Sequence, residues 1–122
     1  MKDTENDRAI AIVRGGAAHS DIGMPLRLAA DGISDAAWMS GDRSDFPAAG
    51  VLRDGQIFAF VEGMKYVTLR LSTLHAKALL ELGGMRHPDF SSGNWINITP
   101  LDPKIDLRAW LHKAHNAAKH LW

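Results

Sequence analysis

Apolar and polar positions alternate most clearly in the second half of the chain. From Tyr66 to Leu71, Val67, Leu69 and Leu71 fall on one face and Tyr66, Thr68 and Arg70 on the other. A period of two is the pattern of a half-buried antiparallel strand. Upstream, Val51-Leu52-Arg53 runs into Asp54-Gly55, a two-residue hairpin signal, and Gln56 to Val61 reads as the next strand. Glu62 to Lys65 supplies a second turn, so these three strands form a meander. Ser72 or Thr73 then caps a helix through Leu82, with Leu74, Ala78, Leu79 and Leu82 on one stripe and Gly83-Gly84 as its stop. Residues 85–93 read as loop. Trp95 to Thr99 is a further strand, with Ile96 and Ile98 facing the core and Trp95 in phase with Asn97. Asp106 to Leu121 has the strongest helical period: Leu107, Trp110, Leu111, Ala114, Ala118 and Leu121 recur on one face, opposite Arg108, His112, His115, Asn116 and Lys119.

The first half is less patterned. Residues 1–8 read as a frayed, solvated end, and Ala9 to Val13 is too short an apolar run for periodicity to separate strand from helix. Ser34 can cap a short helix through Met39, while residues 40–50 read as loop from their Gly, Pro, Ser and Asp content. The expectation is a single α+β domain over residues 1–122. Its antiparallel sheet is a meander plus a further strand, and its helices pack mainly on one face.

Composition narrows the classes. A length of 122 residues with 46% hydrophobic and 23% charged content describes one globular domain rather than a disordered chain. With no cysteine, disulfides, thiolate metal sites and a cysteine nucleophile are excluded. No apolar run approaches the roughly 18 residues a membrane span needs, and the acidic, polar start is not a secretory signal, which points to a cytoplasmic protein without membrane contact. Net charge is zero, with residues 1–50 carrying five basic and eight acidic side chains and residues 51–122 nine and six. That mild asymmetry lacks the basic excess of a nucleic-acid surface.

The second half has a familiar order of features. These are a hairpin with the strand Gln56 to Val61, the strand Tyr66 to Ser72, a helix ending in Leu80 to Gly84, His87-Pro88, the strand entry Ser92-Gly93-Asn94-Trp95, and a closing helix with Ala114 to Ala118. Over roughly residues 50–121 this order resembles the small bacterial domains grouped as luciferase-like, and is similar to the MmcQ/YjbR and TfoX N-terminal domains. The resemblance implies a compact α+β domain and supplies no catalytic motif. The luciferase-like label implies oxygenation of a small aromatic in some distant members.

Candidate chemistry is sparse. The sheet face opposite the helices would carry Tyr66, Arg70, Trp95 and Asn97, with His87 at its rim. Arg70 could pair with an anionic group while Trp95 and Tyr66 supply apolar area. This favours a module that binds a small molecule or a protein partner, without a cofactor. Loop residue His87 is also the one candidate general base, for a cofactor-free enzyme acting on a small aromatic or carbonyl compound. Ser91, Ser92 and Asp89 lie near it, but no G-x-S-x-G elbow is present. His112 and His115, three apart on one helix, could bridge a metal ion, yet no third ligand is apparent. Glycine pairs without G-x-G-x-x-G or G-K-[ST] are not phosphate loops. Tyr66, Arg70 and Lys65 could stack and pair with a nucleic acid in a regulatory role, but one tyrosine and zero net charge make a poor footprint. Trp38 and Trp110 fit core positions. Trp122 at the last position, with Trp95 and Tyr66, suggests a homodimer.

Overall fold

In the computed structural model the described residues are 4–15, 26, 28, 33, 36–40, 47–52, 55–62, 66–99 and 102–119. They form an α+β fold on a six-stranded antiparallel sheet. The elements run α1 (Thr4–Gly15), β1 (Ala36–Ser40), β2 (Pro47–Leu52), β3 (Ile57–Glu62), β4 (Tyr66–Arg70), α2 (Thr73–Glu81), β5 (Met85–Arg86), β6 (Trp95–Ile98) and α3 (Leu107–Lys119). In space the strand order is β1-β2-β3-β4-β6-β5, a four-strand meander to which the chain returns after α2. Among the described residues no helix is long and apolar enough to cross a membrane.

The second half follows its pattern. Ser72 caps α2, its hydroxyl accepting the His75 N–H at 3.3 Å. Gly83 and Gly84 end it: Gly83 adopts φ +107°, and the Gly84 and Gly83 N–H groups return to the Leu79 and Leu80 carbonyls. That arrangement is a Schellman stop, which needs a residue at ease with positive φ. The buried side of α2 is Ala76 and Leu79, so the stripe read from the sequence is rotated, leaving Leu74 75% exposed and Leu82 at the surface. In α3 the expected apolar positions Leu107, Trp110, Leu111, Ala114 and Ala118 are buried, but so is His115, whose ring meets Phe58 edge-on at 5.2 Å. The loop expected over 85–93 begins with the short edge strand β5, which pairs with β6.

Three expectations for the first half are corrected. The chain is helical from Thr4, not frayed to residue 8, because Asn6, Ala9 and Val13 fall on one buried face and Glu5, Asp7 and Arg14 suit the helix dipole. Ala36–Ser40 is a strand rather than a Ser34-capped helix, pairing antiparallel with β2. The strand expected to begin at Val51 begins at Pro47, inside the stretch read as loop, and the small residues of Pro47–Leu52 have a packing reason. A side-chain carbon at Gly50 would sit 2.6 Å from the Phe58 ring. Between the pairs Gly50↔Ala59 and Val51↔Ile57 the ladder has one extra residue, Phe58. This bulge breaks the alternation. Phe58 and Phe60, two apart, therefore reach different partners: Phe58 meets His115, and Phe60 meets His87, Phe90 and Trp95. The readings of Lys65, Leu121 and Trp122 lie outside the described residues.

The helices cover the sheet unequally. Val67, Leu69, Ile96 and Ile98 are buried on the face beneath α2 and α3, which touch through His75 and Trp110. The other face takes the start of α1 and the segment 87–94. Gly84 marks how tightly α2 closes on the first face: a carbon added there would lie 2.7 Å from Ile96 Cγ2 and 3.0 Å from the Leu79 carbonyl oxygen. Gly84→Ala should cost about 1–3 kcal/mol, since a packed backbone oxygen cannot move aside cheaply. Gly15→Ala, which meets nothing within 4 Å, is the control. Equal denaturation midpoints for the two variants would contradict this packing.

Candidate functional site

Register brings the predicted residues onto one face but does not make an open pocket of them. Arg70 lies opposite Trp95, and Thr68 lies opposite Asn97, to whose Oδ1 its hydroxyl donates at 2.7 Å. Trp95 is fully buried. Phe90 stacks on its ring at 4.2 Å with an interplanar angle of 14°. The Arg70 guanidinium carbon lies 4.9 Å from the ring centroid. The apolar area expected to receive a ligand is thus already taken by the chain itself. The indole N–H has no hydrogen-bond partner among the described residues.

His87 is not at a rim either. Its ring is 4% exposed, packed at 5.0 Å from Phe90 and 5.8 Å from Phe60. Its Nδ1 accepts the Asp89 N–H at 3.1 Å, which puts the proton of a neutral imidazole on Nε2. Arg70 is held as well, with Nη1 3.4 Å from Gln56 Oε1 and Nη2 3.9 Å from Glu5 Oε1. Glu5 in turn accepts the Ser92 hydroxyl at 2.8 Å and the Ser92 N–H at 3.1 Å. Tyr66 is half-buried at the other end of β4, opposite Glu62, about 13 Å from Arg70 at strand spacing.

A cavity lies elsewhere, where the end of β4 meets α2 and α3. It has a volume of about 390 Å³. Leu71, Ala117 and Ala118 give it an apolar floor, and Arg70, Ser72, Thr73, His75, Asn94, Lys113 and Asn116 bring polar groups to it. The corner is stitched: the Leu71 N–H donates to the Asn94 carbonyl, and Asn94 Nδ2 donates to the Leu71 carbonyl, both at 2.8 Å. Lys113 Nζ stands 5.1 Å from the Trp110 ring centroid, and the His75 ring meets Trp110 edge-on at 6.2 Å. Among the described residues no carboxylate lines this cavity. A second hollow of about 460 Å³ runs along α3, sharing His75, Lys113 and Asn116 and adding Ala109, His112 and His115.

Of the residues the sequence marked as ligand-binding, Tyr66, Arg70, Trp95 and Asn97, only Arg70 is among the described lining of the cavity. His75, Asn94, Lys113 and Asn116 were missed. Their one signal was the absence of any acid from Leu107 to Lys119, beside a helix start at Ser72. His112 and His115 share the second hollow but differ in exposure, His112 outside and His115 buried against Phe58. Among the described residues no three His, Asp or Glu side chains gather so as to hold a metal ion. Comparison with protein-family models, with curated proteins and with solved structures finds no match to this chain.

Proposed function

We propose that this chain is a small binding module that takes a small molecule in the cavity between β4, α2 and α3. The observation that carries the reading is the cavity's lining: an apolar floor with convergent side-chain donors, the usual make-up of a ligand site. The similarity of residues 50–121 to luciferase-like and MmcQ/YjbR-type domains is part of the same reading, as are a cytoplasmic location and a homodimer. Exposed Leu74 and Met85 are apolar area that a second copy would cover. The alternative, a cofactor-free enzyme with His87 as base, needs substrate to reach a ring that is buried among aromatics. This geometry therefore favours binding over turnover. A nucleic-acid role is served poorly by Tyr66 and Arg70 at opposite ends of β4.

Thermal unfolding against a panel of divalent metals, nucleotides, short DNA and RNA, and small aromatic acids tests the reading. A ligand at ~100 times its Kd adds about 2.7 kcal/mol, a shift of several degrees for a domain of this size. A small-molecule hit should lose its shift in Ala117→Leu, which fills the cavity floor. A panel that is flat, or hits indifferent to Ala117→Leu, would remove the cavity as the site.

A further inference from the structure

We infer that the ligand of this cavity carries an oxyanion head group, a phosphate monoester or a carboxylate, on a polar body that extends into the second hollow. The inference rests on the proposed site and adds the chemistry of its occupant. Acids and bases are equal in number over the whole chain, yet among the described residues Arg70 and Lys113 line the first hollow, Lys113 lines the second, and no carboxylate lines either. Lys113 is the central group, because it belongs to both linings. Its ammonium is placed over the Trp110 ring, and among the described residues no carboxylate lies within 4.0 Å of it. An ammonium set against an aromatic face still has N–H donors to offer an incoming anion.

The neighbouring groups suit the same occupant. Arg70 also lines the first hollow, with its guanidinium held by Gln56 at 3.4 Å, by Glu5 at 3.9 Å and over the Trp95 ring, so Lys113 carries the charge argument. The hydroxyls of Ser72 and Thr73 and the Asn116 amide are donors an oxyanion can use. The two hollows, about 390 and 460 Å³, exceed what an inorganic ion fills. The second is walled by His75, His112, His115 and Asn116, side chains that both donate and accept hydrogen bonds. That wall fits hydroxyl-bearing or amide-bearing matter better than a hydrocarbon.

The test is titration calorimetry with inorganic phosphate, acetate, glucose 6-phosphate, gluconate and glucose as probes. Glucose 6-phosphate or gluconate should bind, more tightly than phosphate or acetate alone, and glucose should not. The stronger of the two organic anions identifies the head group as phosphate or carboxylate. Lys113→Ala should weaken that binding by about tenfold or more, Lys113→Arg should retain most of it, and raising the salt should weaken it. Glucose binding as well as glucose 6-phosphate, or silence from every oxyanion probe at millimolar concentration, would overturn the inference. A neutral compound whose binding is lost in Ala117→Leu but kept in Lys113→Ala would also overturn it, while leaving the cavity in place. Anion binding indifferent to both substitutions would put the anion elsewhere, and both readings would fail.

Discussion

Trp95→Ala should remove about 3–5 kcal/mol of folding stability, a third or more of what a domain of this size has. The indole is fully buried and is the largest side chain in that state among the described residues. It joins three parts of the molecule: Phe60 on β3, Phe90 on the segment before β6, and Arg70 on β4. Truncation would leave a cavity walled by Phe90 and Phe60, whose remaining ring contacts among the described residues are with each other and His87. Trp95→Phe should cost much less, about 1–2 kcal/mol. It keeps most of the apolar contact and deletes an indole N–H that has no partner among the described residues, a group whose burial is itself unfavourable. Guanidinium denaturation followed by far-ultraviolet circular dichroism measures both. A cost under about 1 kcal/mol for Trp95→Ala would mean that the ring is not the hub described.

The second large effect belongs to Asn6. Its side chain closes a two-way bond with the β2–β3 connection: Nδ2 donates to the Gly55 carbonyl at 3.0 Å, and Oδ1 accepts the Ile57 N–H at 2.7 Å. Asn6→Ala should cost about 2–4 kcal/mol, because it abolishes both bonds and strands the Ile57 N–H in the interior. The loss should be local in character. Amide hydrogen exchange should quicken in α1 well beyond any change in α3, which touches neither bond. Uniform quickening throughout the domain would show instead that α1 and the sheet open as one unit.

The parts of the fold that could be read from the sequence are those whose own residues carry the signal. β4 has a strict period of two, and α3 has an unbroken apolar stripe. Ser72 and Gly83-Gly84 mark both ends of α2 by their own hydrogen bonds. The parts that could not be read borrow their structure from distant partners. Pro47–Leu52 is built of residues with little strand preference and is held by ladders on both sides, one strand of which bulges at Phe58. In α1 the buried position Asn6 is polar, so the helical stripe looks interrupted until its partners at Gly55 and Ile57 are known.

The candidate site followed the same division. The face shared by Arg70, Trp95 and Asn97 was legible from strand phase, but phase says nothing about what covers a face. Here Phe90, from the segment leading into β6, covers it. The cavity, by contrast, needs three elements to be docked, and of the residues the sequence marked as ligand-binding only Arg70 is among its described lining.

The partners of α1 also set an order of events. Asn6 bonds to residues 49 and 51 positions further on, and Glu5 to Ser92, 87 positions away. A helix of 12 residues is marginal by itself, and closing loops of that length carries an entropic cost that only an assembled sheet can offset. As the chain leaves the ribosome, α1 emerges before the partners that hold it. It can dock only after β3, β4 and the Ser92 segment have been made, so α1 settles later than segments synthesised after it.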